Sequence, residues 1–471
     1  MSVLVIDVGT SGLRAAVVQD DARVEHVQYR AFPPDTPFPG LVEFDAAKLA
    51  RLVLDVASTA LAVAGPVRGV GITNQRASTI VWERATGAPV GPALGWQDLR
   101  TVMDCITWAE KGLRFAPNQS ATKLAWLLQT YDPDRRRDLC FGTVDTWVAW
   151  VLSGGSVHAT DRSNAGVTGL LRPNGSDWDD TVLDALGIPR AMMPGLVDST
   201  GVVGQARALA GQPPIAGMAG DQQASLLGQG CIRPGLAKIT FGTGGMLDLC
   251  TGTAPPASAA RGKAGTYPIV AWTQGGSVTW GVEAIMLTAG ANIDWLVEDL
   301  GLLNAPTESE FVAAQCDDTG GVVYVPALLG LGTPAWDYGA RGTLLGLTRG
   351  SGRAEVVRAV LEGIAQRGAD LVDAAEADTG ITIGSLRVDG GMSANATFVQ
   401  ALADATGRPV EVSPLADATT LGAGLLAGVA VGVWRDLDEA AATFSPAATV
   451  APANALDRDR WREALTRASG W

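Results

Sequence analysis

Two short glycine-rich turns lie more than half the chain apart, at Asp7-Val-Gly-Thr10 and Phe241-Gly-Thr-Gly-Gly245. Each turn follows an apolar run typical of a β-strand and precedes a second run of the same kind. Glycine allows a tight turn in which backbone N–H groups point toward an incoming anion. The pair predicts that two half-domains hold one polyphosphate, whereas each turn alone is equally typical of a plain β-hairpin.

Polar groups in or just after both turns are of types that bind a phosphate and its metal counter-ion. Asp7 can hold a hydrated Mg²⁺, and Arg14 can offset phosphate charge. In the second turn, Thr243 offers a hydroxyl and Gly244 an amide to a transferable phosphate. These residue types predict a site at which a phosphoryl group is held and moved.

Asp221 follows the strand predicted at 214–219 and begins a short predicted helix. One interpretation is a helix N-cap, which is the usual role of a lone Asp at such a position. The other is a general base that accepts the proton of an attacking hydroxyl during phosphoryl transfer. Gln222 would then hydrogen-bond a neighbouring hydroxyl of the same substrate. The residue types leave both interpretations open.

A third glycine segment, Asp389-Gly-Gly-Met-Ser-Ala-Asn395, lies between a predicted strand and a predicted helix. It suits a nucleoside, with flat glycine backbone under a purine and the amide of Asn395 supplying hydrogen bonds. The alternative is a loop whose Asn caps the following helix.

Composition excludes several other classes of protein. The net charge of −14 argues against nucleic acid or an anionic membrane as a partner. The five cysteines form no Cys-x-x-Cys pair, so we expect reduced thiols in the cytoplasm. The longest apolar run, 421–434, is too short to span a bilayer and predicts a buried helix. No clustered His and Cys set indicates a zinc site.

The length of 471 residues and the 47% hydrophobic content predict two domains, each with its own core. Strands at 3–8, 14–19 and 23–31 form a predicted meander, followed by a helix that Asp45 caps. The pattern of strand, turn and strand restarts after Gly235, so the fold class is α/β. We predict domains over 1–232 and 233–435, and a helical tail over 436–471.

The order of these motifs resembles the FGGY family of carbohydrate kinases and, within it, the glycerol kinases. This family has the actin/hexokinase/Hsp70 ATPase fold. The resemblance implies two ribonuclease-H-like (actin-like ATPase) domains, each a mixed sheet flanked by helices, with a cleft between them. Further segments that carry it are Asn74-Gln-Arg76, Gly95-Trp-Gln97, Ser120-Ala-Thr-Lys-Leu-Ala-Trp126, Asp161-Arg-Ser-Asn-Ala165, Ala340-Arg-Gly-Thr343 and Leu421-Gly-Ala-Gly-Leu-Leu-Ala-Gly428.

The resemblance implies an ATP- and Mg²⁺-dependent kinase for a small polyol or sugar. Asp7 matches the metal position and Asp221 the catalytic base. The matched acceptor-binding positions are Arg76, Trp96, Asp221 and Gln222. The matched nucleotide- and phosphate-binding positions are Thr10, Ser11, Arg14, Thr243, Gly244, Gly290, Gly391 and Asn395.

Three positions depart from the glycerol kinases. Ala77 replaces a Glu, Asn118 a Tyr and Met246 a Phe, and we include all three in the predicted acceptor pocket. A substrate hydroxyl that loses its buried partner costs about 1–3 kcal/mol. We therefore expect a longer polyol or a sugar rather than glycerol. A true glycerol kinase and a non-catalytic ATP- or sugar-binding regulator are the alternatives, and a homodimer is left open.

Overall fold

The computed structural model describes residues 1–256, 260–415 and 418–471. The strands are β1 Ser2–Val8, β2 Gly12–Gln19, β3 Val24–Ala31, β4 Glu43–Phe44, β5 Val70–Asn74, β6 Ile80–Glu83, β7 Ala93–Leu94, β8 Leu139–Gly142, β9 Ala159–Asp161, β10 Gly195–Val197, β11 Thr200–Gln205, β12 Pro214–Gly220, β13 Ala237–Phe241, β14 Gly245–Gly252, β15 Tyr267–Gln274, β16 Ser277–Met286, β17 Val323–Val325, β18 Thr343–Leu345, β19 Leu386–Asp389, β20 Val410–Val412 and β21 Ala448–Val450.

The α-helices are α1 Ala46–Ala64, α2 Val102–Glu110, α3 Ser120–Tyr131, α4 Val144–Ser153, α5 Arg162–Gly166, α6 Asp180–Leu186, α7 Asp221–Gly228, α8 Ala291–Glu298, α9 Glu308–Ala313, α10 Arg353–Thr379, α11 Ala396–Thr406, α12 Thr419–Ala430, α13 Leu437–Ala441 and α14 Arg458–Ala468. Short 3₁₀ helices cover Arg190–Met192 and Gly391–Ala394.

The chain forms two compact units that are not continuous in sequence. The first comprises Met1–Gly230, Ile269–Thr279 and Thr419–Thr443, and the second comprises Cys231–Pro268, Trp280–Ala418 and Phe444–Trp471. The predicted domains were uninterrupted stretches with a boundary at 232/233. The difference lies in the two later segments that pack into the first unit.

The first unit is built on a six-stranded sheet in the order β11-β12-β5-β1-β2-β3. Strand β1 pairs antiparallel with β2, which pairs antiparallel with β3, so the predicted meander is confirmed. On the other side, β1 is parallel to β5 and β5 is parallel to β12. Strand β11 completes the sheet antiparallel to β12.

The sheet of the second unit follows the same plan. Its strands β16-β14-β13-β19-β20-β21 are neighbours in that order. The pairings are antiparallel for β16 with β14 and β14 with β13, then parallel for β13 with β19 and β19 with β20. Strand β21 pairs antiparallel with β20. This sheet has β15 as a seventh strand beside β16, and its other six strands repeat the topology of the first sheet, as the restart of the sequence pattern predicts.

Helix α1 shows how local sequence and packing agree. The side chain of Asp45 accepts a hydrogen bond from the backbone N–H of Lys48 at 2.9 Å, which is the predicted cap. Leu49, Val53 and Val56 recur at helical spacing and are fully buried in the core of the first unit. The helix ends at Gly65, whose N–H bonds the carbonyl of Leu61.

Helix α12 lies in the first unit although it comes near the end of the chain. Its small residues allow very close packing. A Cβ at Gly422 would overlap the carbonyl oxygen of Ala224 in α7, and one at Gly424 would lie 2.5 Å from Val18 Cγ2. The buried helix predicted over 421–434 is confirmed as far as Ala430, where α12 ends, and residues 420–428 are all buried.

The C-terminal tail corrects one prediction. The tail contains helices α13 and α14, but Ala448–Val450 forms strand β21 rather than helix. Three residues carry too little pattern to indicate a strand, and β20 supplies the pairing that makes one. Among the helices of the described residues, none has the length and apolar character that a bilayer crossing requires.

The close approach at Gly422 predicts a specific sensitivity to added volume. Gly422→Ala should lower Tm by about 5 °C, because a methyl group would be forced against the α7 backbone. Gly384→Ala is the matched control, since a Cβ there meets no atom within 4 Å. Thermal unfolding of both variants measures the difference, and equal Tm values would contradict the packing account.

Candidate active site

Three adjacent parallel strands of the first unit end at one level. In the sheet register, Val8 at the end of β1 lies beside Asn74 at the end of β5, which lies beside Gly220 at the end of β12. Asp7, Arg76 and Asp221 flank these three positions. The carboxyl ends of neighbouring parallel strands are where α/β sheets place ligands. The topology thus brings together residues that are far apart in the sequence.

Asp7 is a buried carboxylate with two oriented neighbours. Its Oδ2 lies 3.5 Å from Arg14 Nε, and Arg14 is its cross-strand partner in β2. Thr420, at the start of α12, donates its hydroxyl to the same Oδ2 at 3.1 Å. The side chain of Asp7 is 6% exposed. The carboxylate is therefore held in a defined direction at the turn.

The turn itself contacts the predicted acceptor residues. The indole Nε1 of Trp96 donates to Thr10 Oγ1 at 3.1 Å. Gln75 donates its side-chain amide to the carbonyl of Gly9 at 3.3 Å. Ser11 is exposed, and its carbonyl accepts from the N–H of Phe32. A predicted phosphate-binding residue, Thr10, and a predicted acceptor-binding residue, Trp96, thus touch.

Asp221 is the first residue of α7, and Gly220 occupies the N-cap position. The N-cap interpretation of Asp221 is therefore wrong. Its Oδ1 accepts from the backbone N–H of Gln222 at 2.8 Å and lies 3.2 Å from Arg76 Nε. The Arg76 side chain crosses directly over Gly220, where a Cβ would lie 2.6 Å from its Cδ. The strand end must be glycine for the arginine to reach the carboxylate.

The remaining acceptor-side residues are held through their backbone. Ala77 is buried and has a φ of 60°, in the left-handed region. Its carbonyl accepts from Ser120 Oγ at 3.0 Å. Lys123, fully buried in α3, donates to the carbonyls of Gly95, Trp96 and Asn118 at 2.8, 3.1 and 3.3 Å.

Sequence reasoning assigned no role to Lys123. The available signal was a lysine within an otherwise apolar stretch of helix, which needs buried partners. Burial lowers the pKa of Lys123 to about 7, and the negative charge of Asp98 opposes that change. The lysine joins the segments that carry two predicted pocket residues, Trp96 and Asn118.

The second glycine turn belongs to the other unit and connects β13 to β14. The carbonyl of Thr243 accepts from the N–H of Ala289 at 2.8 Å, and that of Gly242 accepts from the N–H of Gly290 at the same distance. Gly290 is the N-cap residue of α8. Thr243, Gly244 and Gly290, all predicted to bind nucleotide, are thus brought together through the backbone.

The segment 389–395 begins beside this turn. Strands β13 and β19 are parallel, with Thr240 opposite Asp389. Gly391 begins a 3₁₀ helix, and Asn395 accepts from the N–H of Phe398 at 2.9 Å, so its capping role is confirmed. Its side-chain N–H also donates to Ser309 Oγ at 3.1 Å.

Met246 lies in β14, opposite Thr240 and Ile285. It belongs to the second unit, whereas Ala77 and Asn118 belong to the first. The three departures from the glycerol kinases therefore do not lie within one unit.

The donor chemistry at the first turn fits Mg²⁺. Among the described residues, no group of three or more His, Cys, Asp or Glu side chains is placed to hold a metal ion. Magnesium does not need such a cage, because one or two carboxylates and the substrate phosphates commonly hold it together with water. Asp7 supplies one oriented carboxylate beside a glycine turn.

Comparisons with known proteins agree with this architecture. The model of the N-terminal domain of the FGGY family of carbohydrate kinases matches residues 2–228, and that of the C-terminal domain matches residues 237–431. A glycerol kinase from Aromatoleum aromaticum is 42% identical over 493 residues, covering 99% of both chains.

Solved structures show the same likeness. A glycerol kinase from Plasmodium falciparum, determined with ADP, has a TM-score of 0.92 and 28% identity, with 99% of this chain and 98% of that chain covered. A xylulose kinase from Brucella ovis has a TM-score of 0.86 and 25% identity, with the same coverage.

The family models and the full-length likeness place the chain in the class of phosphotransferases that use an alcohol group as acceptor, built on two domains of repeated actin-like topology. The chain belongs to the FGGY family of carbohydrate kinases.

Lys123 generates a prediction for stability against pH. Its pKa in the folded protein, about 7, lies below the ordinary 10.5, so the unfolded chain binds more protons between these values. The free energy of unfolding contributed by this group therefore rises with pH across that window. Lys123→Met should be less stable throughout, and its deficit in Tm relative to the wild type should widen from pH 7 toward 10.5.

The exposed Lys111→Met is the control for removal of a lysine from the surface, and its Tm should remain close to that of the wild type. A constant deficit for Lys123→Met over the window would contradict the shifted titration.

Proposed function

We propose that this enzyme transfers the γ-phosphate of ATP to a hydroxyl of a small polyol or sugar other than glycerol. The observation that carries the proposal is the Arg76–Asp221 pair, 3.2 Å apart at the carboxyl edge of the sheet. It combines a carboxylate able to accept a proton with a guanidinium able to hydrogen-bond acceptor hydroxyls.

In the proposed reaction, Asp221 accepts the proton of the acceptor hydroxyl as its oxygen attacks the γ-phosphorus. The bond between that phosphorus and the bridging oxygen breaks, and ADP leaves. Arg76 and Trp96 orient the acceptor, and Arg14 offsets charge on the phosphates. When bound at Asp7, Mg²⁺ would supply charge neutralisation of the phosphate oxygens.

The second unit is proposed to hold the nucleotide. Thr243 and Gly244 would contact the phosphates through a hydroxyl and an amide, and Gly290, Gly391 and Asn395 would contact the nucleoside. The hydrogen bonds that the turn carbonyls accept from the start of α8 support this assignment, because they fix the backbone of the turn that carries the Thr243 hydroxyl and the Gly244 amide.

The identity of the acceptor depends on the pocket residues. Ala77 removes a carboxylate and Asn118 an aromatic ring from positions that glycerol kinases occupy, so a glycerol hydroxyl would lose a partner while a longer substrate gains space. The alternative, a true glycerol kinase, is favoured by the names of relatives that are 40–42% identical. A non-catalytic regulator is disfavoured because Asp7 and Asp221 are both present.

Removing the proposed base should abolish most turnover. Asp221→Asn should lower kcat by about 10²–10⁴-fold, because the amide cannot accept the hydroxyl proton. Asp184→Asn, an exposed substitution on α6, is the control and should keep normal kcat. ADP release in the presence of the best acceptor is the measurement. Near-normal turnover by the Asp221 variant would exclude this base.

Restoring the missing groups should move specificity toward glycerol. Ala77→Glu combined with Asn118→Tyr should raise kcat/KM for glycerol relative to the best polyol or sugar by about 10–10²-fold, since one buried hydrogen bond is regained. A screen of polyols, ketoses and aldonates on wild type and variant supplies the comparison. Glycerol turnover by the wild type well above every other acceptor would overturn the substrate proposal.

A further inference from the structure

Asp161 is a fully buried carboxylate that the proposed reaction does not use. It caps the short helix α5, and its oxygens accept from the backbone N–H groups of Ser163 and Asn164, both at 3.0 Å. Capping needs no more than these two bonds. Three further side-chain donors also converge on it, from Ser163 Oγ at 3.0 Å, Asn164 Nδ2 at 3.0 Å and Ser199 Oγ at 2.7 Å.

One branch of this cluster leads to the proposed base. Ser163 Oγ donates to Asp161 and accepts from the backbone N–H of Gly220 at 2.9 Å. Gly220 is the residue immediately before Asp221. Both Ser163 and Gly220 are buried, so no water competes for this bond. The serine therefore fixes the peptide from which the Asp221 side chain departs.

A second branch leads to the acceptor arginine. The side-chain amides of Asn164 and Asn74 bond each other twice, at 3.0 and 3.3 Å. Asn74 also donates to the carbonyl of Gln75 at 2.8 Å, and Gln75 immediately precedes Arg76. All these asparagine side chains are fully buried.

The two branches close into a ring, because Arg76 Nε and Asp221 Oδ1 lie 3.2 Å apart. From Asp161, one path runs through Ser163 and Gly220 and the other through Asn164 and Asn74. Each path ends one or two residues before a member of the pair. A change at Asp161 would reach both members at once, although its oxygens contact neither.

We propose that Asp161 is a positioning residue that sets the geometry of the Arg76–Asp221 pair through these two buried branches. The inference rests on the proposed role of that pair in acceptor binding and proton transfer. Asp161 acts as an acceptor only, since every group that contacts its oxygens in the described structure is a donor.

The burial of Asp161 raises its pKa, and hydrogen bonds from Ser199 and Ser163 oppose the rise. An asparagine at this position could place its side-chain N–H against the backbone N–H of Ser163, which cannot rotate away. Two donors would then face each other. Asp161→Asn should thus shift both branches without a change in side-chain volume.

The first test compares two buried aspartates. Asp161→Asn should lower kcat/KM for the acceptor by about 10²-fold, as expected for a small displacement of reacting groups, with KM for ATP changed by less than about twofold. Asp132 is the matched control, being buried, bonded to the backbone N–H groups of Arg136 and Arg137, and outside both branches. Asp132→Asn should lower Tm but leave acceptor kinetics within about threefold of the wild type.

The second test separates the branches and remains decisive if Asp161→Asn does not fold. Ser163→Ala should mainly lower kcat, because it releases the peptide before the base. Asn164→Ala should mainly raise KM for the acceptor, because it releases the peptide before the arginine. Each effect should be about tenfold.

The outcomes distinguish the two proposals. Loss of activity in Asp221→Asn together with near-normal kinetics in folded Asp161→Asn, or in both branch variants, would overturn the positioning role alone. Full activity in Asp221→Asn would overturn the proposed function itself. Equal loss of acceptor kinetics in Asp132→Asn and Asp161→Asn would also overturn the inference, because it would show a general response to loss of a buried carboxylate.

Discussion

The site depends on the alignment of three parallel strand ends in the first unit. Because Val8, Asn74 and Gly220 lie side by side in the register, the residues that follow or precede them converge at one edge of the sheet. Backbone hydrogen bonds of the ladder set this alignment, so it does not depend on any flexible side chain. The Arg76–Asp221 pair also requires a glycine at the end of β12, over which the arginine can pass.

Buried polar side chains hold the segments that lie beside these strand ends. Lys123 joins the backbone of the Gly95–Trp96 segment to Asn118, and Asp161 connects the peptides before Arg76 and Asp221. Each uses an ionisable group inside the protein, where hydrogen bonds are strong and a missing partner is costly. Helix α12 adds the hydroxyl of Thr420 to Asp7, and its glycines let it pack close enough to do so. Burying these groups costs free energy, and their hydrogen bonds fix the backbone that carries the predicted acceptor-binding residues.

The second unit repeats the sheet topology of the first but carries different residues at its turn. Its turn at 241–245 occupies the same topological position as the turn at 9–11, but its neighbours are the starts of α8 and the 389–395 segment. The residues proposed to bind nucleotide here are uncharged, in contrast to the Asp7, Arg76 and Asp221 side chains of the first unit. One repeated topology can carry different residues, because function resides in the residues at the strand ends.

The sequence by itself determined the features that depend on neighbouring residues: the two glycine turns, the cap at Asp45, the α/β class and, through ordered motifs, the family. It also named Asp7, Arg76 and Asp221, but it left the N-cap interpretation of Asp221 open until the structure placed Gly220 at that position. Only the tertiary structure decided that α12 packs in the first unit, that β21 is a strand, that Lys123 holds three carbonyls and that Asp161 links two distant peptides. The physical reason is the separation in sequence between the residues that contact each other. Caps and turns arise from contacts within a few residues, whereas these other contacts join segments far apart in the chain and exist only once the sheets have formed.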